Sequence, residues 1–341
     1  MKTVYSILLS FLSVVSICAQ DTMVYKKVLS GHNGPVEAIS FSNDGHYFAS
    51  GGWDNSVRLY SIDSTQQFEY LRTLSGHHAA VICVAISPDN RYVATSSKDC
   101  TFSVYELETG KLRFTSRDHK KAVTQVFFDP SSQILITASE DGTARVYRVQ
   151  DLEQVSPKSL ELKYDSKING AQLSPRKGKF LIATDDSKAV EIDINGKISA
   201  RFAGHTARVG CLDVSHNRRI LATGSDDKTI KLWDIKTRKL RYTLEGHGWK
   251  VTSVHFSADD RYLISSCNNG EVKIWDVKLG NEVSDLPKLG TNARQAMFSP
   301  DMKRIAVATF QSGSKFGPII YQTPYEKQSR KKKSKKRPNK K

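Results

Sequence analysis

Little in the 341 residues points to chemistry. No apolar run, that of residues 4–17 included, is long enough to span a bilayer, which takes about 20 residues in a helix. The five cysteines contain no C-x-x-C pair and no metal-ligand spacing, which excludes a zinc ribbon and a dithiol redox centre. There is no glycine-rich phosphate loop, no G-x-S-x-G elbow and no histidine pair at helical spacing, so the common nucleotide, hydrolase and zinc-protease signatures are absent. Acidic residues are also short, 35 against 51 Lys and Arg, for a formal net charge of +16. That excess is uneven. Residues 326–341 hold +9 of it and everything before them only +7, so the basic character belongs to a tail rather than to a nucleic-acid-binding face.

With 39% apolar and 25% charged residues the remainder is an ordinary globular composition, with ample material for a large core. Its first residues read as an export leader over residues 1–19: Lys2, then an uncharged and largely apolar stretch at residues 4–17, then the small Ala19 before Gln20. Two alternatives stand beside cleavage there, a lipid-bearing Cys18 and a buried first strand or helix. Cys83 and Cys211 fall at matching places in apolar strands and read as small buried hydrophobes.

The informative feature is a repeat. Gly-His pairs stand at Gly31-His32, Gly76-His77, Gly204-His205 and Gly246-His247, with Asp118-His119 as a variant. Tyr60, Tyr105, Tyr147, Trp233 and Trp275 each end an alternating run of the kind that forms half-buried strands. Six residues before each lies Asp54, Asp99, Asp141, Asp227 or Asn269, in stretches that read as tight turns.

These markers resemble the WD-repeat family over residues 23–322, with Trp233-Asp234 and Trp275-Asp276 as the naming dipeptide. Two degenerate units, residues 168–192 and 293–321, bring the count to seven. The resemblance implies an all-β fold, a seven-bladed β-propeller with four-stranded blades. Outer strands are expected at residues 68–74, 112–116, 160–164, 198–203, 240–244 and 282–286, and the seventh at residues 23–29. That last strand comes from the wrong end of the chain, so it must pair with the final unit and close the ring.

His205, Thr223, Asp227 and Trp233 could be mistaken for a catalytic triad. The same set recurs at His32, Ser50, Asp54 and Tyr60, at His77, Thr95, Asp99 and Tyr105, and at His119, Thr137, Asp141 and Tyr147. An enzyme does not need one site four times, and the resemblance implies a structural hydrogen-bond chain. No catalytic residue, cofactor, metal or small-molecule substrate is expected.

A protein partner is the expected ligand, on the face that carries the Asp turns and the connections after Gly-His. Trp53 and Trp249 lie in those loops, and exposed aromatics are enriched at binding hot spots. Lys167, Arg208 and Lys250 precede three successive inner strands and, with Lys98, suggest a basic sector that Glu140, Asp185 and Asp226 interrupt. After Tyr325 the tail, with Arg330, Lys331, Lys332, Lys333, Lys335, Lys336 and Arg337, has nothing to bury and reads as a disordered polycation for an anionic membrane surface or nucleic acid. Leader and tail conflict. The leader favours an exported scaffold in the periplasm, on the cell surface or secreted; the alternative is an intracellular scaffold, nuclear or of ribosome assembly, whose tail binds RNA.

Overall fold

The computed structural model describes residues 25–152, 158–193, 195–310 and 316–323. The leader and the tail of the sequence reading lie outside them. Runs of five or six residues rich in Val, Ile and aromatic side chains, cut by Asp, Asn and Gly turns, leave the chain no helical period to follow. Among the described residues it forms 28 strands in seven four-stranded antiparallel sheets. The first blade is Val36–Phe41, Tyr47–Gly52, Val57–Ile62 and Phe68–Leu74. Its inner strand is followed around the axis by Val81–Ile86, Val123–Phe128, Ile168–Leu173, Val209–Val214, Val251–Phe256 and Ala293–Phe298.

The last blade holds Ala293–Phe298, Arg304–Thr309 and Ile319–Gln322, and Tyr25–Val28 completes it, with Val28 opposite Ile319. The seam runs on past this strand, since Leu29 N–H donates to the Pro318 carbonyl at 3.0 Å and Gly31 N–H to that of Phe316 at 3.1 Å. The outer strands Ser159–Lys163 and Asn281–Asp285 each begin one residue earlier than expected. Apolar clusters fill the spaces between blades; one joins Leu29, Ile39, Phe48 and Tyr60 to Ala306, Ala308 and Ile320 across the seam.

Every inner strand carries an irregularity of register at its second residue, which is Glu37, Ile82, Thr124, Asn169, Gly210, Thr252 or Arg294. A bulge re-aims its side chain, and here it serves the unpaired inner edge. Thr124 and Thr252 hydroxyls and the Asn169 amide each donate to a carbonyl of the next inner strand, all at 2.8 Å. One step further down, Gln295 accepts from Ile39 N–H at 2.8 Å, Gln125 from Ala171 at 2.6 Å, and Asp213 from Phe256 at 2.9 Å. Polar side chains of one blade thus cap the free edge of the next.

Candidate functional site

Gly31, Gly76, Gly204 and Gly246 hold φ of 137–157°, a region open to glycine, and so turn the chain from an outer strand into the next blade. In the third blade Asp118 takes the glycine's place, and its carboxylate accepts the Tyr147 hydroxyl at 2.9 Å. Beyond each turn a histidine enters the blade. Nδ1 of His32, His77, His119 and His205 meets Asp54, Asp99, Asp141 and Asp227 at 2.7–3.1 Å. Nε2 meets Ser50, Thr95, Thr137 and Thr223 at 2.8–2.9 Å. Each aspartate also accepts the backbone N–H that follows its histidine.

The aromatic closes this chain only where it is tryptophan. Trp233 Nε1–H donates to Thr223 at 2.9 Å and Trp275 Nε1–H to Ser265 at 2.8 Å. The phenols of Tyr60 and Tyr105 reach further and donate to the carbonyls of Leu29 and Ser75. In the fourth blade Tyr164 stands in for histidine and donates to Asp186 at 3.0 Å. In the sixth, Glu271 rather than Asn269 takes the backbone N–H after the histidine, Gly248, at 2.9 Å.

Burial holds the imidazoles of His77, His119 and His205 below the usual histidine range, against the pull of their aspartates. Burial alone would raise the Asp141 carboxyl, but hydrogen bonds from Thr143 and the Lys120 N–H outweigh it and bring it down to about 2. Both kinds of group therefore bind protons more readily in the unfolded chain. Stability should be complete above pH 6.5, fall as the pH drops through the histidine range, and fall again between 3.8 and about 2. Urea midpoints across pH measure this; Asp141→Asn should flatten the lower step.

On this rigid floor stands one surface position per blade. The backbone N–H groups of Trp53, Lys98, Glu140, Asp185, Asp226, Asn268 and Phe310 donate to the carbonyls of Pro35, Ala80, Ala122, Lys167, Arg208, Lys250 and Asn292 at 2.8–3.3 Å. The backbone repeats seven times and the side chains do not. Trp53 is 42% exposed. Its ring lies edge-on to Phe310 at 5.1 Å, under the Lys98 ammonium at 4.1 Å, and its Nε1–H donates to Glu37 at 3.0 Å. Trp249, 54% exposed, has the Lys228 ammonium 5.7 Å from its ring.

Lys167 pairs with Glu140 at 3.2 Å, and Arg208 with Asp226 at 3.3 Å and Asp185 at 3.9 Å, so these cations and acids alternate. Lys98, Glu140, Arg208 and Lys250 converge on the mouth of the axial channel, a cavity of about 290 Å³ that Glu37 and Arg294 also line. Lys167, Trp53 and Trp249 lie outside that lining.

A family model of the IFT122 first beta-propeller matches residues 62–315, about three quarters of the chain, and one of the WD domain, G-beta repeat, matches residues 23–61. The chain belongs to the WD-repeat β-propeller family. Among curated relatives of this WD-repeat chain are eukaryotic translation initiation factor 3 subunit I of Meyerozyma guilliermondii, 39% identical over 66 residues or 19% of each chain, and that of Xenopus tropicalis, 36% identical over 66 residues, 19% of this chain and 20% of the other. The ribosome biogenesis protein BOP1 homolog of Dictyostelium discoideum is 47% identical over 45 residues, 13% of this chain and 5% of that one. The matched stretches thus span a fifth or less of these relatives.

Those names correct the expectation of export to the periplasm, cell surface or medium, because translation initiation and ribosome biogenesis are work done inside cells.

Sequence reading missed three residues of the upper face in this WD-repeat propeller. Glu37 and Arg294 pair across the seam between first and last blades, with Arg294 Nε 2.9 Å from the carboxylate, and Phe310 backs Trp53. The equivalence of positions 37 and 294 was open to inspection, but only the bulge turns both toward the channel. It missed a basic rim as well. On the opposite face Arg176, Arg218, Arg219, Lys236 and Arg241 surround a cleft of about 510 Å³ whose one acid, Asp234, is already held by Arg241.

Proposed function

We propose that this WD-repeat chain is a non-catalytic scaffold of an intracellular assembly in translation or ribosome assembly, holding a protein partner on its upper face and RNA through its basic tail. The observation that carries the first part is the contrast between repeated and unrepeated positions. The histidine, hydroxyl and aspartate of the internal hydrogen-bond chain recur in four blades, whereas the seven surface side chains, Trp, Lys, Glu, Asp, Asp, Asn and Phe, vary around the ring on a backbone that repeats in all seven. A rigid surface with individually set side chains is what specific recognition requires, and its exposed tryptophans are hot-spot residues. Trp53→Ala and Trp249→Ala should each weaken partner binding by about 10-fold or more while the chain still unfolds cooperatively in urea; unchanged affinity in both variants would set this reading aside.

The RNA part rests on the tail and on the relatives' names. Ten cations in residues 326–341 recruit phosphate by counterion release, and the basic rim around Arg218 and Arg219 adds a folded surface of the same sign. Deleting residues 326–341 should flatten the salt dependence of binding to a single-stranded RNA, lowering the slope of log K against log salt by up to about 7. Equal slopes for both proteins in filter binding would contradict it.

A further inference from the structure

The sixth blade departs from its neighbours at three positions at once. Asn269 replaces the turn aspartate, Glu271 stands where the second, third and fifth blades have threonine, and Cys267 stands where they have serine. The consequence is an orphan. Nδ1 of His247 is buried without a hydrogen-bond partner, the Glu271 carboxylate being 3.6 Å away. In the other histidine-bearing blades that nitrogen meets an aspartate at 2.7–3.1 Å.

We propose that His247, Cys267 and Glu271 form a binding site for one divalent cation of the zinc class. Their donor atoms, an imidazole nitrogen, a thiol sulfur and a carboxylate oxygen, lie within 4.8 Å of one another. A tetrahedral zinc, with bonds of about 2.0–2.3 Å, needs donors roughly 3.3–3.7 Å apart. Closing onto a metal takes a shift of about 1 Å at most in the widest pair, and Glu271 is the one of the three that is not buried. Mixed nitrogen, sulfur and oxygen donors select zinc over magnesium or calcium, and water completes the shell.

The outer partners suit the role. Ser265 Oγ lies 2.7 Å from His247 Nε2 and also accepts Trp275 Nε1–H, while its own hydroxyl faces the Lys273 carbonyl. With Nε2–H donating to Ser265, the lone pair is on Nδ1 and points at the trio. Gly248 N–H and the Asn269 amide donate to the Glu271 carboxylate, which the exposed Lys288 ammonium also meets at 3.4 Å and which a bound cation would contest.

The test is metal uptake by the chelator-treated full chain under reducing conditions. Zinc should bind as one equivalent in competition with a chromophoric chelator, and cobalt should give a thiolate charge-transfer band in the near ultraviolet. Cys267→Ser, which installs the residue of three neighbouring blades, should abolish the band and weaken zinc by about 10-fold or more. Asn269→Asp with Glu271→Thr restores the neighbours' pattern, gives Nδ1 an aspartate, and should remove uptake without lowering the unfolding midpoint. No uptake by the parent chain, a cobalt complex without the thiolate band, or parent-like affinity in both variants would each overturn the site.

Discussion

Deleting residues 25–29 from the full chain should cost at least about 5 kcal/mol, seen as a collapse of the urea midpoint or loss of cooperative unfolding. The deletion strips the last blade to three strands, exposes the edge of Ile319–Gln322, and removes Leu29 from the cluster that joins first and last blades. A buried leucine alone is worth about 2–5 kcal/mol. The pairing of Val28 with Ile319 and the bonds to Pro318 and Phe316 go with it. The contacts left across the seam include Arg294 with Glu37 and Ile39 N–H with Gln295, both from the inner strands. A midpoint unchanged by the deletion would show that the ring is closed by other contacts.

Asp227→Ala is the second large effect, with an expected loss of about 2–4 kcal/mol. Its carboxylate accepts from His205, from the N–H groups of Thr206 and Thr229, and from the Thr229 hydroxyl. Removing it leaves His205 Nδ1 only the Thr229 hydroxyl, 3.3 Å away, and loosens both loops of that blade at once. Asp186→Ala in the fourth blade is the control. Its Tyr164 contact is exposed, its Lys188 pair lies at the surface, and the Thr184 hydroxyl that it accepts keeps the Lys188 carbonyl at 2.8 Å, so the loss should stay below about 1 kcal/mol. Equal losses in the two variants would mean that the buried histidine is not what gives the chain its value.

What the sequence disclosed and what it hid follow from the range of the forces. Strand number, blade count and the closing strand were legible because turn and alternation signals are local and recur, as from Ile230–Asp234 to Val272–Asp276. The histidine–aspartate pairs were legible for the same reason, 22 residues apart in each unit. The tyrosine phenols were not, because whether a ring at the strand end meets a hydroxyl or a carbonyl depends on a reach of a few ångströms. The convergence of Glu37 and Arg294, 257 residues apart, needs both ring closure and the bulge. The His247, Cys267 and Glu271 trio escaped because no sequence spacing marks it, and the basic rim because its arginines come from one turn, one strand end and, with Arg176, the preceding blade, which lie far apart in sequence.

The most direct test of the scaffold reading is to purify the tagged full chain and its Trp53→Ala/Trp249→Ala double variant from soluble cell extract and compare the ribosomal and initiation-factor components that sediment with each after nuclease treatment. The account predicts that such components accompany the parent chain and are depleted at least about 10-fold from the variant, which remains folded. Equal recovery with both proteins would place the partner elsewhere on the ring, and absence of those components from the parent would contradict the proposed assembly itself.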